Sequence, residues 1–231
     1  MKKKLIIFSG AGMSAESGIK TFRDHNGLWE EFSIEEVATP EAWRANPDLV
    51  TTFYNERRKN VIESHPNEGH LLIAQLEPHF DVQVITQNID DLHERAGSTN
   101  VLHLHGNIRY AKSSGPNQEK CYYPIDGWEI AAQDCCPEGY RLRPHVVWFG
   151  EDVPMISQAI EMVQTADIFV VIGTSLLVYP AANLVHYVPQ GCEAFLIDPN
   201  LEISGVPNNF QCIHETAVHG VQKLYERLIS S

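Results

Sequence analysis

The residues from Ser9 onward read Gly10-Ala11-Gly12-Met13-Ser14-Ala15-Glu16-Ser17-Gly18, directly after an apolar run. Glycine at such a turn lets backbone approach a pyrophosphate, whose charge then sits at a helix N-terminus. As Gly-x-Gly-x-x-Ala the run fits the dinucleotide fingerprint. Many strand-to-helix turns, however, need glycine only for positive φ. The hydride-transfer version also needs an acidic residue ending a second strand about 20 residues on. Glu30, Glu31, Glu35 and Glu36 fall at that distance, but in a helical stretch. A dehydrogenase is therefore disfavoured.

A second chemistry comes from histidine. An imidazole titrating near neutrality suits a general base. The chain has 11 histidines, so one alone says little. His103 and His105 share a strand face by their spacing, and the residues alone do not choose between them. A third comes from Tyr54 and Arg57, at i and i+3 of an expected helix, where phenol and guanidinium can point to one spot. A guanidinium fork binds a carboxylate bidentately, and a phenol adds a third hydrogen bond. An exposed arginine paired with a glutamate reads equally well from spacing, since Glu56 and Arg58 adjoin.

The elements that must position these groups alternate. Short apolar runs at 4–8, 82–86, 101–104, 146–149, 168–172 and 194–197 read as buried parallel strands. Helical patterns occupy 47–62, 67–76, 154–163, 181–187 and 218–229. This predicts an α/β fold, a Rossmann-like doubly wound parallel sheet with helices on both faces. Two stretches break the alternation: 30–64 is helical without a strand of its own, and 108–143 has no clear period. They predict a small module, about 31–66 and 107–143, inserted into a Rossmann-like part at about 1–30, 67–106 and 144–231.

Composition narrows the classes. The chain has 231 residues, 43% of them hydrophobic, enough for one large domain without staples. With 17 basic against 30 acidic residues the net charge is −13, which disfavours nucleic-acid or anionic-membrane partners. The apolar run after Lys2 to Lys4 stops at Ser9, too short for a leader. No run is long enough to span a membrane. Five cysteines lack framework spacing. The expectation is a cytoplasmic protein, monomeric, with reduced thiols.

Further blocks follow in order: Thr21-Phe22-Arg23-Asp24, Gly27-Leu28-Trp29, Thr86-Gln87-Asn88-Ile89-Asp90, Leu104-His105-Gly106, Pro144-His145-Val146-Val147-Trp148-Phe149-Gly150-Glu151 and Gly173-Thr174-Ser175. Together with the glycine turn, they resemble the sirtuin family of NAD-dependent protein deacylases over nearly the whole chain. The likeness is greatest to its short bacterial class III members, the CobB type. The resemblance implies a single catalytic domain that removes acyl groups from protein lysines, releasing nicotinamide and O-acyl-ADP-ribose. It implies NAD phosphates held at Gly10, Ala11, Gly12, Ser14 and Ala15. It also implies that Thr21, Phe22, Arg23 and Trp29 belong to a loop closing over the cofactor. Gln87, Asn88 and Asp90 match groups around the nicotinamide and its ribose; a carboxamide needs both a donor and an acceptor, which short amides supply. A polar strand end with an Asp helix cap would account for Asp90, though not for all three. Gly173, Thr174, Ser175, Asn200 and Leu201 match phosphate and adenosine positions, and Ala217 the adenine position.

His105 matches the family's catalytic base, with Asn88 and Asp90 beside it; His103 is then a packing or supporting residue. Tyr54 and Arg57 match the pair that reads the carboxylate of succinyl- or malonyl-lysine, and Ala38 a small residue that leaves room for it. Val146 and Phe149 match residues lining the acyl-lysine tunnel. The expected reaction covers acetyl and acidic acyl groups. The alternative is an ADP-ribosyltransferase or NAD glycohydrolase on the same fold, which shares NAD cleavage but not transfer to an acyl oxygen. A non-catalytic NAD sensor would have no use for Asn88, Asp90 and His105 together.

One departure stands out. Most sirtuins hold a structural zinc by two Cys-x-x-Cys pairs, because the site is tetrahedral and soft. Here the first pair's place reads Arg109-Tyr110-Ala111-Lys112-Ser113-Ser114, and only Cys121, Cys135 and Cys136 lie in the insert. Zinc is not expected. The insert is instead expected to pack on Tyr110, Tyr122, Tyr123, Trp128 and Tyr140.

Overall fold

In a computed structural model the described residues are 2–20, 32–200 and 205–230. Thr21, Phe22, Arg23, Trp29 and Leu201 lie outside them. Strand β1, Lys4–Ser9, shows why the sheet is parallel and central: Leu5, Ile6, Ile7 and Phe8 are all fully buried. Leu5 and Ile7 join one core cluster, Ile6 and Phe8 another on the opposite face. A strand covered on both faces reads as a continuous apolar run.

The other parallel strands are β2 (Asp81–Thr86), β3 (Val101–His103), and beyond the small sheet β7 (Ile168–Ile172), β8 (Glu193–Ile197) and β9 (Gln211–Ile213). They are ordered β3-β2-β1-β7-β8-β9. The order reverses between β1 and β7, the position at which doubly wound sheets open a crevice at their C-terminal edge. On one face α5 (Glu68–Gln75) packs against α8 (Ala217–Ile229). On the other lie α7 (Ile156–Val163) and the segment Ala181–Tyr187, a 3-10 helix. No helix among the described residues is long and apolar enough to cross a membrane.

Within 32–64 the helices are α2 (Ile34–Val37), α3 (Pro40–Ala45) and α4 (Pro47–Glu63). Asn46 caps α4, its Oδ1 accepting from the Leu49 amide at 3.0 Å, and Pro47 supplies a preset φ at the first position. Pro66 restricts His65 and keeps the helix from continuing. Helix α5 starts at Asn67, which caps it through Oδ1 and sends Nδ2 to the Met13 carbonyl and Ser17 hydroxyl. One side chain thus ties the glycine turn and its short helix α1 (Gly12–Ala15) to the α5 N-terminus.

Two expectations are corrected. The 146–149 segment is not a parallel strand: its first residue ends β6 (Leu142–Val146), which pairs antiparallel with β4 (Gly106–Ser113). With β5 (Tyr122–Pro124) these form a separate three-stranded sheet, β5-β4-β6. The aromatic side chains of the insert do not build its interior either. Tyr110, Tyr122, Trp128 and Tyr140 are each about 40% exposed. The interior holds Ile108, Ala111, Ile130 and Cys136, with buried charge (Arg58, Lys112, Arg143) beside them.

Candidate active site

The site begins where parallel strands end. Ser9, Thr86 and His103 are in register across β1, β2 and β3. The Ser9 hydroxyl donates to Thr86 Oγ1 at 2.9 Å and lies 3.0 Å from His93 Nε2. Thr86 Oγ1 in turn accepts from the Asn88 amide at 3.0 Å. A buried polar row therefore sits beneath the segment leaving β2.

Above it, the two turns at the β1/β7 switch point touch. The Gly12 amide donates to the Gly173 carbonyl at 2.8 Å. A Cβ on Gly12 would meet Gly173 Cα at 2.7 Å, and Gly173 itself has φ +58°. These glycines are required by mutual backbone approach, whatever ligand they serve. Thr174 Oγ1 accepts from Gln87 Nε2 at 2.9 Å, tying the β7 turn to the segment after β2. Ala11 and Ser175 are half-buried and Ala15 is exposed on the same rim.

Ser14, Asn88 and Asp90 form one buried knot. Asn88 Nδ2 donates to Ser14 Oγ, which donates to Asp90 Oδ2, both at 3.0 Å. The other Asp90 oxygen accepts from the Leu92 amide at the start of α6 (Leu92–Arg95). Asp90 is thus both a local helix-start acceptor and a member of the site. Burial raises its pKa, offset in part by the Leu92 and Ser14 hydrogen bonds.

His105 lies two residues beyond the end of β3, after buried Leu104. Its Nδ1 lies 3.0 Å from the Gln87 carbonyl, an acceptor only, so Nδ1 carries the proton and Nε2 keeps its lone pair. Burial lowers its pKa, and the Gln87 hydrogen bond offsets this only partly. Gly106 is the position that permits this arrangement: φ is +82°, and a Cβ would lie 2.2 Å from the His145 carbonyl.

Beside this edge Ala38, Tyr54, Val146 and Trp148 belong to one buried cluster. The Phe149 amide donates to the Ala38 carbonyl at 3.0 Å while its ring is exposed. Burial pushes the Tyr54 phenol up to about 12 against the pull of Arg57. Burial lowers Arg57, whose guanidinium lies over the Phe53 ring and feels both Tyr54 and Asp90. Arg57 is thus within electrostatic reach of both Tyr54 and Asp90. Arg58, its neighbour, is fully buried and serves the fold, donating to the Ile108 and Trp128 carbonyls.

Asn200 lies farther along the edge, its amide and side chain both donating to Asp198 Oδ1 at 2.8 Å. Ala217 opens α8 and packs in the cluster containing Met13. Glu16 fixes that junction by accepting from the Val218 amide and the Thr216 hydroxyl.

The donor set fits a dinucleotide: side-chain-free turns at the switch point, hydroxyls on Ser14 and Thr174, and paired amides on Gln87 and Asn88. No group of three or more His, Cys, Asp or Glu among the described residues could hold a metal. Cys121 and Cys135 are exposed, and buried Cys136 contacts the Ser113 hydroxyl.

Sequence reasoning missed Ser9, Thr86 and His93 as the floor of the site. The register of polar strand ends was the available signal. It also missed Arg143, which stacks 3.3 Å from the Trp148 ring centroid and pairs with Glu151, holding the 146–151 loop.

Residues 10–180 match the Sir2 family. An NAD-dependent protein deacylase of Bacteroides thetaiotaomicron is 50% identical over 98% of this chain and 98% of its own. A Sir2 homologue solved with NAD superposes with TM-score 0.88 at 37% identity, covering 99% of this chain and 90% of that one. A Sir2 structure with a deacetylated p53 peptide and 3′-O-acetyl-ADP-ribose gives TM-score 0.80 at 27% identity over 98% of this chain and 94% of that one. The matched span runs from the glycine turn through the histidine strand to Gly173–Ser175, and on that sequence and this fold the chain belongs to the Sir2 family.

Proposed function

We propose that the protein is an NAD-dependent protein-lysine deacylase that removes acetyl and acidic acyl groups. One observation carries this reading: His105, its Nε2 available for a proton, stands beside the Ser14–Asn88–Asp90 knot at the switch-point crevice. The deacylase relative and the NAD and acetyl-ADP-ribose complexes support it. NAD, when bound, supplies an electrophilic ribose carbon with nicotinamide as leaving group and accepts the acyl group as O-acyl-ADP-ribose.

The chain supplies the rest. The Gly10–Gly12 and Gly173–Thr174 turns would hold phosphates, with Ala11, Ala15 and Ser175 on their rim. Asn200 and Ala217 would flank the adenosine, and Gln87, Asn88 and Asp90 the nicotinamide ribose. His105 would take a proton at Nε2. Its lowered pKa keeps it neutral, and so able to accept, at neutral pH. Ala38, Val146 and Phe149 would line the acyl-lysine path. Tyr54 remains protonated and donates, and Arg57 offers its fork, so an acyl group ending in a carboxylate gains two partners that acetyl does not use.

The test is mass spectrometry of the purified protein with NAD and matched acetyl-lysine and succinyl-lysine peptides, with His105→Tyr as control. Nicotinamide and O-acyl-ADP-ribose appearing together, with the wild type only, support the deacylase. Nicotinamide release without deacylated peptide would overturn it in favour of ADP-ribosyl transfer or NAD hydrolysis.

A further inference from the structure

His103 has partners of its own. Its Nδ1 lies 3.0 Å from the Asn88 carbonyl and its Nε2 2.7 Å from Glu94 Oε1 on α6. A carbonyl oxygen only accepts, and so does a carboxylate. A ring held between the two carries protons on both nitrogens. His105, two residues on, has one acceptor and keeps one lone pair. Three consecutive carbonyls are held in this way: Gln87 by His105, Asn88 by His103, and Ile89 by the Ile108 amide at 2.8 Å.

We propose that His103 is a positioning residue: as an imidazolium braced by Glu94, it fixes the Asn88–Ile89 peptide so that Asn88 and Asp90 reach Ser14 and His105 keeps its tautomer. This rests on the deacylase reading of the site. Burial would lower the His103 pKa, but the Glu94 carboxylate, the Asn88 carbonyl and Asp90 outweigh it and hold it above the usual value. The positive ring in turn favours the ionised form of Asp90. The groups facing His103 are Glu94 and His93 from α6, Asp90 from the segment after β2, His145 from β6, and Asn107 from β4, whose Nδ2 is a donor 3.3 Å from Nε2 and competes there with Glu94, which is nearer at 2.7 Å. Burial lowers both His93 and His145, so neither carries charge at neutral pH. Glu94 and Asp90 set the state of His103.

Two measurements test this. The imidazole nitrogen shifts of histidine-labelled protein at pH 7 are expected to show two protonated nitrogens on His103 and one on His105. A single protonated nitrogen on His103 overturns the proposal, whatever the protein's activity. In pH profiles of kcat, Glu94→Gln keeps a hydrogen-bonding partner but removes the charge. Its alkaline limb is expected to move down by about one to three pH units, with peptide KM unchanged. His103→Leu is expected to lower kcat on the order of ten- to a hundredfold. A Glu94→Gln profile that superimposes on the wild type overturns the proposal. If the wild type releases nicotinamide without deacylating peptide, the deacylase reading fails, and the same profiles followed in nicotinamide release still decide the role of His103.

Discussion

The parallel sheet and the small antiparallel sheet solve burial in opposite ways. The parallel sheet buries aliphatic side chains on both faces and gathers polar groups at one edge, where Ser9, Thr86, Asn88 and Ser14 form hydrogen bonds that end on the Asp90 carboxylate. The small sheet buries ions. Lys112, 2% exposed, meets Glu119, and Arg143, 4% exposed, meets Glu151 while stacking on Trp148. The difference teaches where chemistry can sit. A hydrogen-bonded edge holds few charged groups, His103 with Glu94 and Asp90 beside neutral His105, and paired ions replace a core too small to be aliphatic.

The sharpest way to break the comparison is at the edge. His105→Gln is expected to lower deacylation by about 10²- to 10⁴-fold, read as product formation by mass spectrometry. Its melting temperature should stay near that of the wild type, because the strands beneath are untouched. A large loss of stability would mean that the edge also carries the fold.

In the small sheet the order of effects reverses. Glu151→Ala strands a buried guanidinium and removes the acceptor of the Trp148 amide. The expected cost is about 3 kcal/mol, seen as a lower urea midpoint. Specific activity of the folded fraction should fall much less than in the His105 variant.

Arg57→Met bridges the two regions. Loss of a charge-assisted contact of about 1.5–3 kcal/mol predicts that desuccinylation falls about ten- to a hundredfold relative to deacetylation. Equal loss of both activities would remove the acidic-acyl assignment.

Acid weakens both regions, histidines first and carboxylates only at lower pH. His70, lowered to about 4, and His93 are buried neutral by desolvation under the parallel sheet. Below the ordinary histidine value of 6.5 the unfolded chain takes up protons that the native state refuses, so stability falls as pH drops from about 6.5. His145, in the small sheet, is lowered to about 4 by burial and adds to the same loss. Raised His103 acts above 6.5 and does not oppose it there. Glu119 and Glu151, held below the usual carboxylate value of 4.5 because their cationic partners outweigh burial, add their loss only at lower pH. Melting curves in buffers from neutrality downward should show a first decline set by histidines; a flat response to about pH 5 would contradict their neutral burial.

The smallest effect is an expected zero. Incubation with a chelator should leave the melting temperature within about 1 °C, since the described residues include no thiolate cluster to lose a metal. A drop would restore zinc to the small sheet.

Five of the six parallel strands were legible because burial makes them apolar runs, as in Ile168–Ile172; β9, largely exposed at the sheet's edge, was not. Strand β4 was not. Its pairing is interrupted between Gly106 and Ala111, and it carries Lys112 inward, where only the distant Glu119 makes that tolerable. The run Val146-Val147-Trp148-Phe149 looked like a strand by composition, yet only Val146 is in β6 and Phe149 turns outward. In the site, the glycine turn and the Tyr54–Arg57 spacing were readable as local patterns. The choice of His105 over His103 rested on the Leu-His-Gly context and the family resemblance, because by residue type and spacing the two histidines are alike.

The sequence alone determined the inner strands of the sheet, the glycine turn and the set of side chains available at its edge, since apolar continuity and residue type are local properties. Tertiary structure decided what state those side chains are in. Whether an imidazole holds one proton or two, and whether a buried lysine or arginine is paired, depends on carbonyls and carboxylates brought alongside from other strands and helices.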